Sequence, residues 1–326
     1  MTLLSVRDLT VSAPGGLALV DGISLDVEKG ERVGLIGESG SGKSLTALAV
    51  MGLLGEELKA TGHVFFGNED LFAASERRRC QLRGDAISMI FQEPMMALNP
   101  TMRVGKQVGE TLRIHRGLGR RAAARAAVDL LGRVELPDPQ RCAMMYPHEL
   151  SGGQRQRVMM AIAISCDPDV VLADEPTTAL DVTVQRRVLE LLDRLVSEEH
   201  CALLLITHDL AVVSEMCDRV VTMYGGRVVE VGPAARMLTS PAHPYTEALL
   251  ETSLAVSVDA PSDGVLPAIA GSVPAAGAFP TGCPFRDRCP RRTEACEVTP
   301  PLAGDGTHAV ACWWPIAQPV AGTSTR

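Results

Sequence analysis

The feature that most constrains this chain is a glycine-rich loop between an apolar strand and a helix. Residues 37–44 read GESGSGKS, which fits the pattern G-x-x-x-x-G-K-[ST] of a phosphate-binding loop, or P-loop. Loop amides and a helix N-terminus favour phosphate, Lys43 reaches the β- and γ-phosphates, and the Ser44 hydroxyl ligates Mg²⁺. The sequence thus predicts a nucleoside triphosphate site. The predicted ATP contacts here are Gly37, Glu38, Ser39, Gly40, Ser41, Gly42, Lys43, Ser44 and Leu45.

A second apolar strand ends in two carboxylates. The segment VVLADE at 170–175 places Asp174 and Glu175 together at the end of a buried run. Asp174 can hold Mg²⁺ through water, and Glu175 can orient or deprotonate an attacking water. Together with the P-loop, this pair predicts hydrolysis of the nucleotide.

A third motif, LSGGQRQRV, occupies residues 150–158. Ser151 can cap the following helix, while Gly152 and Gly153 allow an anion to approach the backbone. A second phosphate-seeking helix N-terminus is surplus within one chain. We therefore expect Ser151, Gly152, Gly153 and Gln154 to contact the γ-phosphate of an ATP held by another subunit.

These motifs, in this order, resemble the nucleotide-binding domain of ABC transporters. By that resemblance Gln92 in FQEPMMALNP is the Q-loop glutamine, which touches Mg²⁺ or water, and His208 in LITHDL is the switch histidine, which contacts the γ-phosphate. Residues 178–181 match the D-loop. The resemblance implies that Glu175, His208, Gln92 and Lys43 are catalytic and that Ser44, Gln92 and Asp174 form the Mg²⁺ site.

The resemblance is closer to one subfamily. FQEPMMALNP, YPHELSGGQRQRV, ADEPTTALDVT, SPAHPYTEALL and the tail beginning GCPFRDRC are similar to ATP-binding subunits of oligopeptide and dipeptide importers. Such a subunit pairs with a second, related ABC ATPase beneath two transmembrane permease subunits. An extracytoplasmic solute-binding protein delivers the solute to these permeases. The implied function is ATP hydrolysis coupled to peptide uptake. Importers of nickel or other small solutes remain an alternative, as does a soluble ABC ATPase without a membrane partner.

The expected fold is α/β. It comprises a P-loop, RecA-like core, an antiparallel β subdomain, a helical subdomain at about 95–165, and a small loop-rich C-terminal extension. We place the nucleotide-binding domain at residues 1–235 and the extension at 236–326. Continuous apolar runs at 170–174 and 202–207 predict buried parallel strands, and Pro137 and Pro139 are expected to end the helix over RAAARAAVDLLGRV. Residues 255–282 are predicted to form an extended linker.

Composition narrows the class further. The net charge of −8 disfavours nucleic-acid binding, which usually needs a basic face. No stretch of the chain approaches 18 consecutive apolar residues, so no transmembrane helix is predicted. The first residues lack the pattern of a signal peptide. We expect a peripheral protein at the cytoplasmic face of the cell membrane.

Four of the nine cysteines crowd into the tail: Cys283, Cys289, Cys296 and Cys312. A reducing cytosol disfavours disulfides. Four thiolates suit a 4Fe–4S cluster, which tolerates varied spacings, and the tail resembles peptide-importer ATPases in which such a cluster has been recognised. Zinc usually takes tighter C-x2–4-C pairs. Iron–sulfur, zinc and free thiols therefore stay open at this point.

The sequence departs from the family pattern at the position that usually contacts the adenine base. ABC ATPases usually stack an aromatic side chain of the first strand on the base. Here the matching position is Ala13, and no aromatic residue precedes Phe65. Adenine stacking is expected to be absent or supplied from elsewhere.

Overall fold

A computed structural model describes residues 2–178, 180–257 and 268–316 of the chain. Ala179 of the predicted D-loop and residues 258–267 of the predicted linker lie outside these ranges. The strands are β1 (Thr2–Ser12), β2 (Ala18–Glu28), β3 (Arg32–Ile36), β4 (Lys59–Phe66), β5 (Glu69–Asp70), β6 (Ile87–Ile90), β7 (Val170–Asp174), β8 (Ala202–Ile206), β9 (Arg219–Tyr224), β10 (Arg227–Pro233), β11 (Ala303–Gly304) and β12 (Ala309–Val310). The helices are α1 (Lys43–Met51), α2 (Glu76–Leu82), α3 (Pro94–Ala97), α4 (Val104–His115), α5 (Arg120–Arg133), α6 (Pro139–Met144), α7 (Gly152–Ala163), α8 (Val182–Glu199), α9 (Leu210–Met216), α10 (Ala234–Thr239) and α11 (Pro244–Ser257).

The chain divides into two compact units. The first comprises Met1–Leu4, Asp26–Arg32 and Phe65–Ile206. The second comprises Ser5–Leu25, Val33–Val64 and Thr207–Arg326. The P-loop and the C-terminal extension therefore belong to the same unit.

The first unit contains three adjacent parallel strands, β6, β7 and β8. Ile90 pairs with Ala173, and Asp174 pairs with Ile206. Every residue of β7 and β8 is buried, as expected for apolar runs covered on both faces of a parallel sheet. The predicted buried strands and the α/β fold are confirmed.

Helices fill the middle of the first unit, from α3 to α7. Gly105 and Gly109 on α4 permit close packing, because a Cβ on Gly105 would lie 2.7 Å from the Cβ of Ala143 and one on Gly109 would lie 3.2 Å from the carbonyl oxygen of Ala123. The prediction that prolines end α5 is wrong. The helix ends at Arg133, the chain then turns through Glu135 at a φ of 56°, and Pro139 begins α6.

The second unit carries strands in the order β11, β12, β10, β9, β3. Strand β3 is parallel to β9, whereas β10 is antiparallel to both β9 and β12. In a separate sheet β1 lies between β2 and β4. The alternation of buried residues in β1 shifts at Asp8, whose φ is 49° and whose amide donates to the Ser24 hydroxyl at 3.0 Å.

The C-terminal extension is built onto this second unit. Strand β12 pairs with β10, and Tyr245 and Phe285 of the extension form an aromatic cluster with Tyr224 of β9. Buried Glu230 accepts hydrogen bonds from the amides of Ala242 and His243 and contacts His308 Nε2 at 2.8 Å. In the described ranges no helix is both long and apolar enough to cross a membrane.

Candidate functional site

The P-loop joins β3 to α1 and encloses a buried lysine. Helix α1 begins at Lys43, the residue on which the motif centres. The Lys43 ammonium donates to the carbonyl oxygens of Gly37 and Glu38, at 2.7 and 2.9 Å, and contacts the Ser41 hydroxyl at 3.3 Å. The loop backbone thus holds the cation that is predicted to meet the phosphates, with Ser44 next to it in the first turn of α1.

Two glycines of the loop are needed for its path. Gly37 has a φ of 149°, and a Cβ there would lie 2.2 Å from the carbonyl oxygen of Met223. Gly42, the N-cap of α1, has a φ of 97°, and its Cβ would meet Val20 at 3.0 Å. Both positions combine an unfavourable backbone conformation with close contact, so no side chain fits without movement of the loop.

Gly37→Ala is expected to distort the P-loop. The added Cβ collides with backbone, which cannot swing aside, so the free energy of unfolding should fall by at least about 2 kcal/mol, and ATP affinity should fall with it. Gly40→Ala is the matched control. Gly40 also has a positive φ, of 80°, but a Cβ there meets nothing within 4 Å. Thermal denaturation and ATP titration of both variants test this, and equal effects would contradict the collision at Gly37.

His208 lies in the turn that leads into α9. It is exposed and lies between buried Thr207 and Asp209, the residue that caps α9. The amide of Asp209 donates to the Thr207 hydroxyl at 3.0 Å, and the Asp209 carboxylate accepts from the amide of Ala211 at 2.9 Å. These bonds fix the backbone on both sides of the imidazole, which the family resemblance assigns to the γ-phosphate.

Glu175 is the centre of a hydrogen-bonded group in the first unit. One oxygen of its carboxylate accepts from Gln92 Nε2 at 3.0 Å and from the Thr178 hydroxyl at 2.8 Å. Its φ is 44°, and its amide donates to the carbonyl of Ile206 at 2.9 Å. Left-handed backbone at a non-glycine residue is unfavourable, and such conformations cluster at functional sites. The structure thus joins two predicted site residues that are distant in sequence.

Parallel strand order explains that meeting. Gln92 follows the end of β6, and Glu175 follows the end of its neighbour β7, so both emerge at the same edge of the sheet. Asp174, the last residue of β7, is buried with 5% of its surface exposed. Thr178 was predicted only as part of the D-loop, and its contact with Glu175 adds a residue to this group.

The LSGGQ segment forms the N-terminus of α7. The Ser151 hydroxyl accepts from the amide of Gln154 at 3.3 Å, and Gln154 Oε1 accepts from the amide of Ser151 at 2.9 Å, which together make a capping box. A Cβ on Gly153 would lie 2.6 Å from Val184 of α8. Capping therefore accounts for Ser151 and Gln154 within the chain, and close packing against α8 accounts for Gly153.

The predicted residues fall into the two units as follows. Gln92, Asp174, Glu175 and the segment Ser151–Gln154 belong to the first unit, whereas the P-loop and His208 belong to the second. Ala13 follows the end of β1, and its amide donates to the carbonyl of Leu17 at 2.8 Å.

The four tail cysteines line one cavity. Cys283, Cys289, Cys296 and Cys312 surround it together with His243, Phe285, Trp313 and Trp314. Burial raises the pKa of Cys283 to about 11, and the neighbouring thiols contribute in the same direction. Within residues 2–178, 180–257 and 268–316, no group of three or more His, Cys, Asp or Glu side chains is placed to hold a metal ion. The predicted zinc or iron–sulfur ligands are thus gathered but not arranged as a metal site.

Family comparisons agree with the motifs. The model described as ABC transporter matches residues 20–178, and the one described as Oligopeptide/dipeptide transporter, C-terminal region, matches residues 229–296. The chain is 46% identical over 96% of its length to the probable D,D-dipeptide transport ATP-binding protein DdpD of Escherichia coli, of which 96% is covered. It is 42% identical over 97% of its length to the oligopeptide transport ATP-binding protein OppD of Salmonella typhimurium, of which 95% is covered.

Solved structures give the same class. A dimeric, post-hydrolysis structure of the ATP-binding cassette MJ0796 bound to ADP and Pi has a TM-score of 0.64 and 28% identity, covering 71% of this chain and 99% of that one. Fold and motifs define an ABC-type ATPase, a class that uses ATP and Mg²⁺. More narrowly, the chain belongs to the ABC transporter family, in the branch that carries the oligopeptide/dipeptide transporter C-terminal region.

Proposed function

We propose that this chain is the ATP-hydrolysing subunit of an importer for dipeptides or oligopeptides. The observation that carries the peptide assignment is the match of residues 229–296 to the oligopeptide/dipeptide transporter C-terminal region, together with relatives named for dipeptide and oligopeptide transport. In this proposal residues 1–235 form the nucleotide-binding domain, and residues 236–326 form the extension.

In the proposed reaction Lys43 would bind the β- and γ-phosphates, and Ser44, Asp174 and Gln92 would hold Mg²⁺, which would offset the negative charge of the phosphates. Glu175 takes a proton from water as the water oxygen attacks the γ-phosphorus, and the bond to the β,γ-bridging oxygen breaks to give ADP and phosphate. Hydrogen bonds from Gln92 and Thr178 to one Glu175 oxygen support this role, because they fix the orientation of the carboxylate at the end of β7. His208 contacts the γ-phosphate.

The capped start of α7 is proposed to act in trans. Ser151, Gly152, Gly153 and Gln154 would contact an ATP held by a second, related ABC ATPase, and the dimeric state of the MJ0796 structure supports this pairing. Two transmembrane permease subunits would anchor the pair at the cytoplasmic face of the membrane, and an extracytoplasmic binding protein would deliver the solute.

Reconstitution tests the transport assignment. The chain should co-purify with its permease subunits and partner ATPase, and vesicles holding the complex should take up labelled peptide when ATP and peptide-loaded binding protein are supplied. The control is the same complex with Lys43→Ala, which should assemble without transport. ATP-driven uptake of nickel but not peptide would overturn the peptide assignment. An ATPase that never associates with membrane chains would overturn the importer itself.

We also propose that the four tail cysteines hold a 4Fe–4S cluster. The shared cavity supports this, because a cluster takes four thiolates spaced more widely than the ligands of one ion. Fully buried His243 lines the same cavity. Its Nδ1 accepts from the Tyr245 amide at 3.0 Å, which leaves the proton on Nε2. Among the described residues Nε2 has no partner within normal hydrogen-bond geometry and makes at most a weak contact with the backbone of Ala311. Burial lowers the pKa of His243 to about 3, so the imidazole is neutral and its N–H could donate a hydrogen bond to a cluster sulfur. The thiols would draw together as the cluster assembles.

A further inference from the structure

One P-loop residue is tied directly to the C-terminal extension. The Glu38 carboxylate accepts two hydrogen bonds from the Arg288 guanidinium, at 2.6 and 3.1 Å. The Glu38 amide donates to the hydroxyl of Tyr245, on α11, at 2.7 Å. Its carbonyl accepts from Lys43. The same carbonyl also accepts from the amide of Ser41 at 3.2 Å. Each polar group of Glu38 is therefore engaged, and two of the four partners lie beyond residue 240.

Arg288 differs from an ordinary surface cation. Its side chain is 6% exposed, against 25% for Glu38. Its Nε donates to the carbonyl of Ala270 at 2.9 Å, and the guanidinium lies over the rings of Tyr224 and Phe285, at 5.8 and 5.9 Å from their centroids. These contacts hold the planar guanidinium in the orientation that pairs with Glu38. A bidentate hydrogen bond between guanidinium and carboxylate is strong and directional.

The pairing resolves an electrostatic conflict. Glu38 places a carboxylate within the loop that binds a triphosphate, where a free negative charge repels the ligand. Arg288 neutralises that charge and holds the carboxylate on the side of the extension. With Arg288 removed, the carboxylate would be unpaired and free to turn toward the phosphates.

We propose that Arg288 is a positioning residue for the P-loop, which sets the affinity for ATP by pairing with Glu38. The extension then serves the ATPase site itself. The inference rests on the proposed binding of ATP by this P-loop. It assigns to a residue of the tail a part in nucleotide binding, although that residue touches neither nucleotide nor metal.

Substitutions that remove one or both charges distinguish this electrostatic role from a merely structural one. Full-length Arg288→Gln should bind ATP about five- to tenfold more weakly than wild type, with a larger deficit at low salt, since one uncompensated charge is added near the ligand. Glu38→Gln combined with Arg288→Gln removes both charges and should restore ATP affinity to within about twofold. In the assembled transporter, Arg288→Gln should raise KM for ATP while kcat changes little. Exposed Arg292→Gln is the matched control and should leave ATP affinity unchanged.

Titration of ATP into each full-length chain, with circular dichroism to verify folding, decides the matter. Affinity of Arg288→Gln within twofold of wild type would overturn the inference, and so would an equal loss in the single and double variants, because the defect would then come from a disturbed extension. If the single variant unfolds, Arg288→Lys is decisive: because it keeps the positive charge beside Glu38, it should bind ATP within about twofold of wild type, and a loss of about five- to tenfold would refute the electrostatic argument. A wild-type chain that binds no ATP would instead overturn the proposed function.

Discussion

Replacing Glu175 by glutamine is expected to lower the ATP turnover of the assembled transporter by about 10²–10⁴-fold, the usual cost of losing a general base. The amide has nearly the same shape, and its oxygen can still accept from Gln92 and Thr178, which now hold the carboxylate at 3.0 and 2.8 Å. The side chain should therefore stay in place. What it loses is the ability to take a proton from water.

ATP binding should survive this change. The P-loop and Lys43 are untouched, so we expect the affinity for ATP to stay within about twofold of wild type and the ATP-bound pair of subunits to accumulate. Steady-state phosphate release and ATP titration of the same preparation measure the two effects separately. Glu190→Gln is a fair control, since Glu190 is exposed on α8 and pairs with Arg186 one turn away on the same helix. Turnover near the wild-type rate in Glu175→Gln would remove Glu175 from the catalytic role.

Much of this site could be predicted because its parts are local. The P-loop, the end of β7 and the start of α7 are short stretches in which residue type fixes backbone path, as at Gly37 and in the Ser151 capping box. Alternating helices and apolar strands also predict a parallel sheet. Strand order is a long-range property, however, so the contact between Gln92 and Glu175 emerges only from the pairing of β6 with β7.

The extension was harder to predict for the same reason. Its loops have little periodicity, so sequence patterns give neither its attachment to β10 nor the pairing of Arg288 with Glu38. One clue was present: an acidic residue inside a phosphate-binding loop needs a compensating cation. Nothing in the sequence indicates which arginine supplies it, because the partners meet only through tertiary packing.

The second prediction with a large expected effect concerns the iron content that the four tail cysteines would hold. Chain purified without oxygen is expected to be brown and to contain about four irons. Cys289→Ser should reduce this to less than about one iron per chain, because a hydroxyl is a poor replacement for a thiolate and Cys289 lines the shared cavity. Iron and sulfide analysis, with electron paramagnetic resonance of the reduced protein, measures the change.

Two comparisons make this prediction specific. Cys80→Ser is the matched control, because Cys80 is exposed and lies outside the cavity, so its loss should leave the iron content unchanged. His243→Gln should keep the irons but shift the reduction potential, because the Nε2–H of His243 is the buried donor available to a cluster sulfur. Zinc in place of iron in protein prepared without oxygen would refute the cluster while keeping the four ligands. Metal content unaffected by Cys289→Ser would instead mean that the cavity holds only free thiols, and the pKa values of Cys283, Cys289 and Cys312, which burial raises, suit protonated, metal-free cysteines.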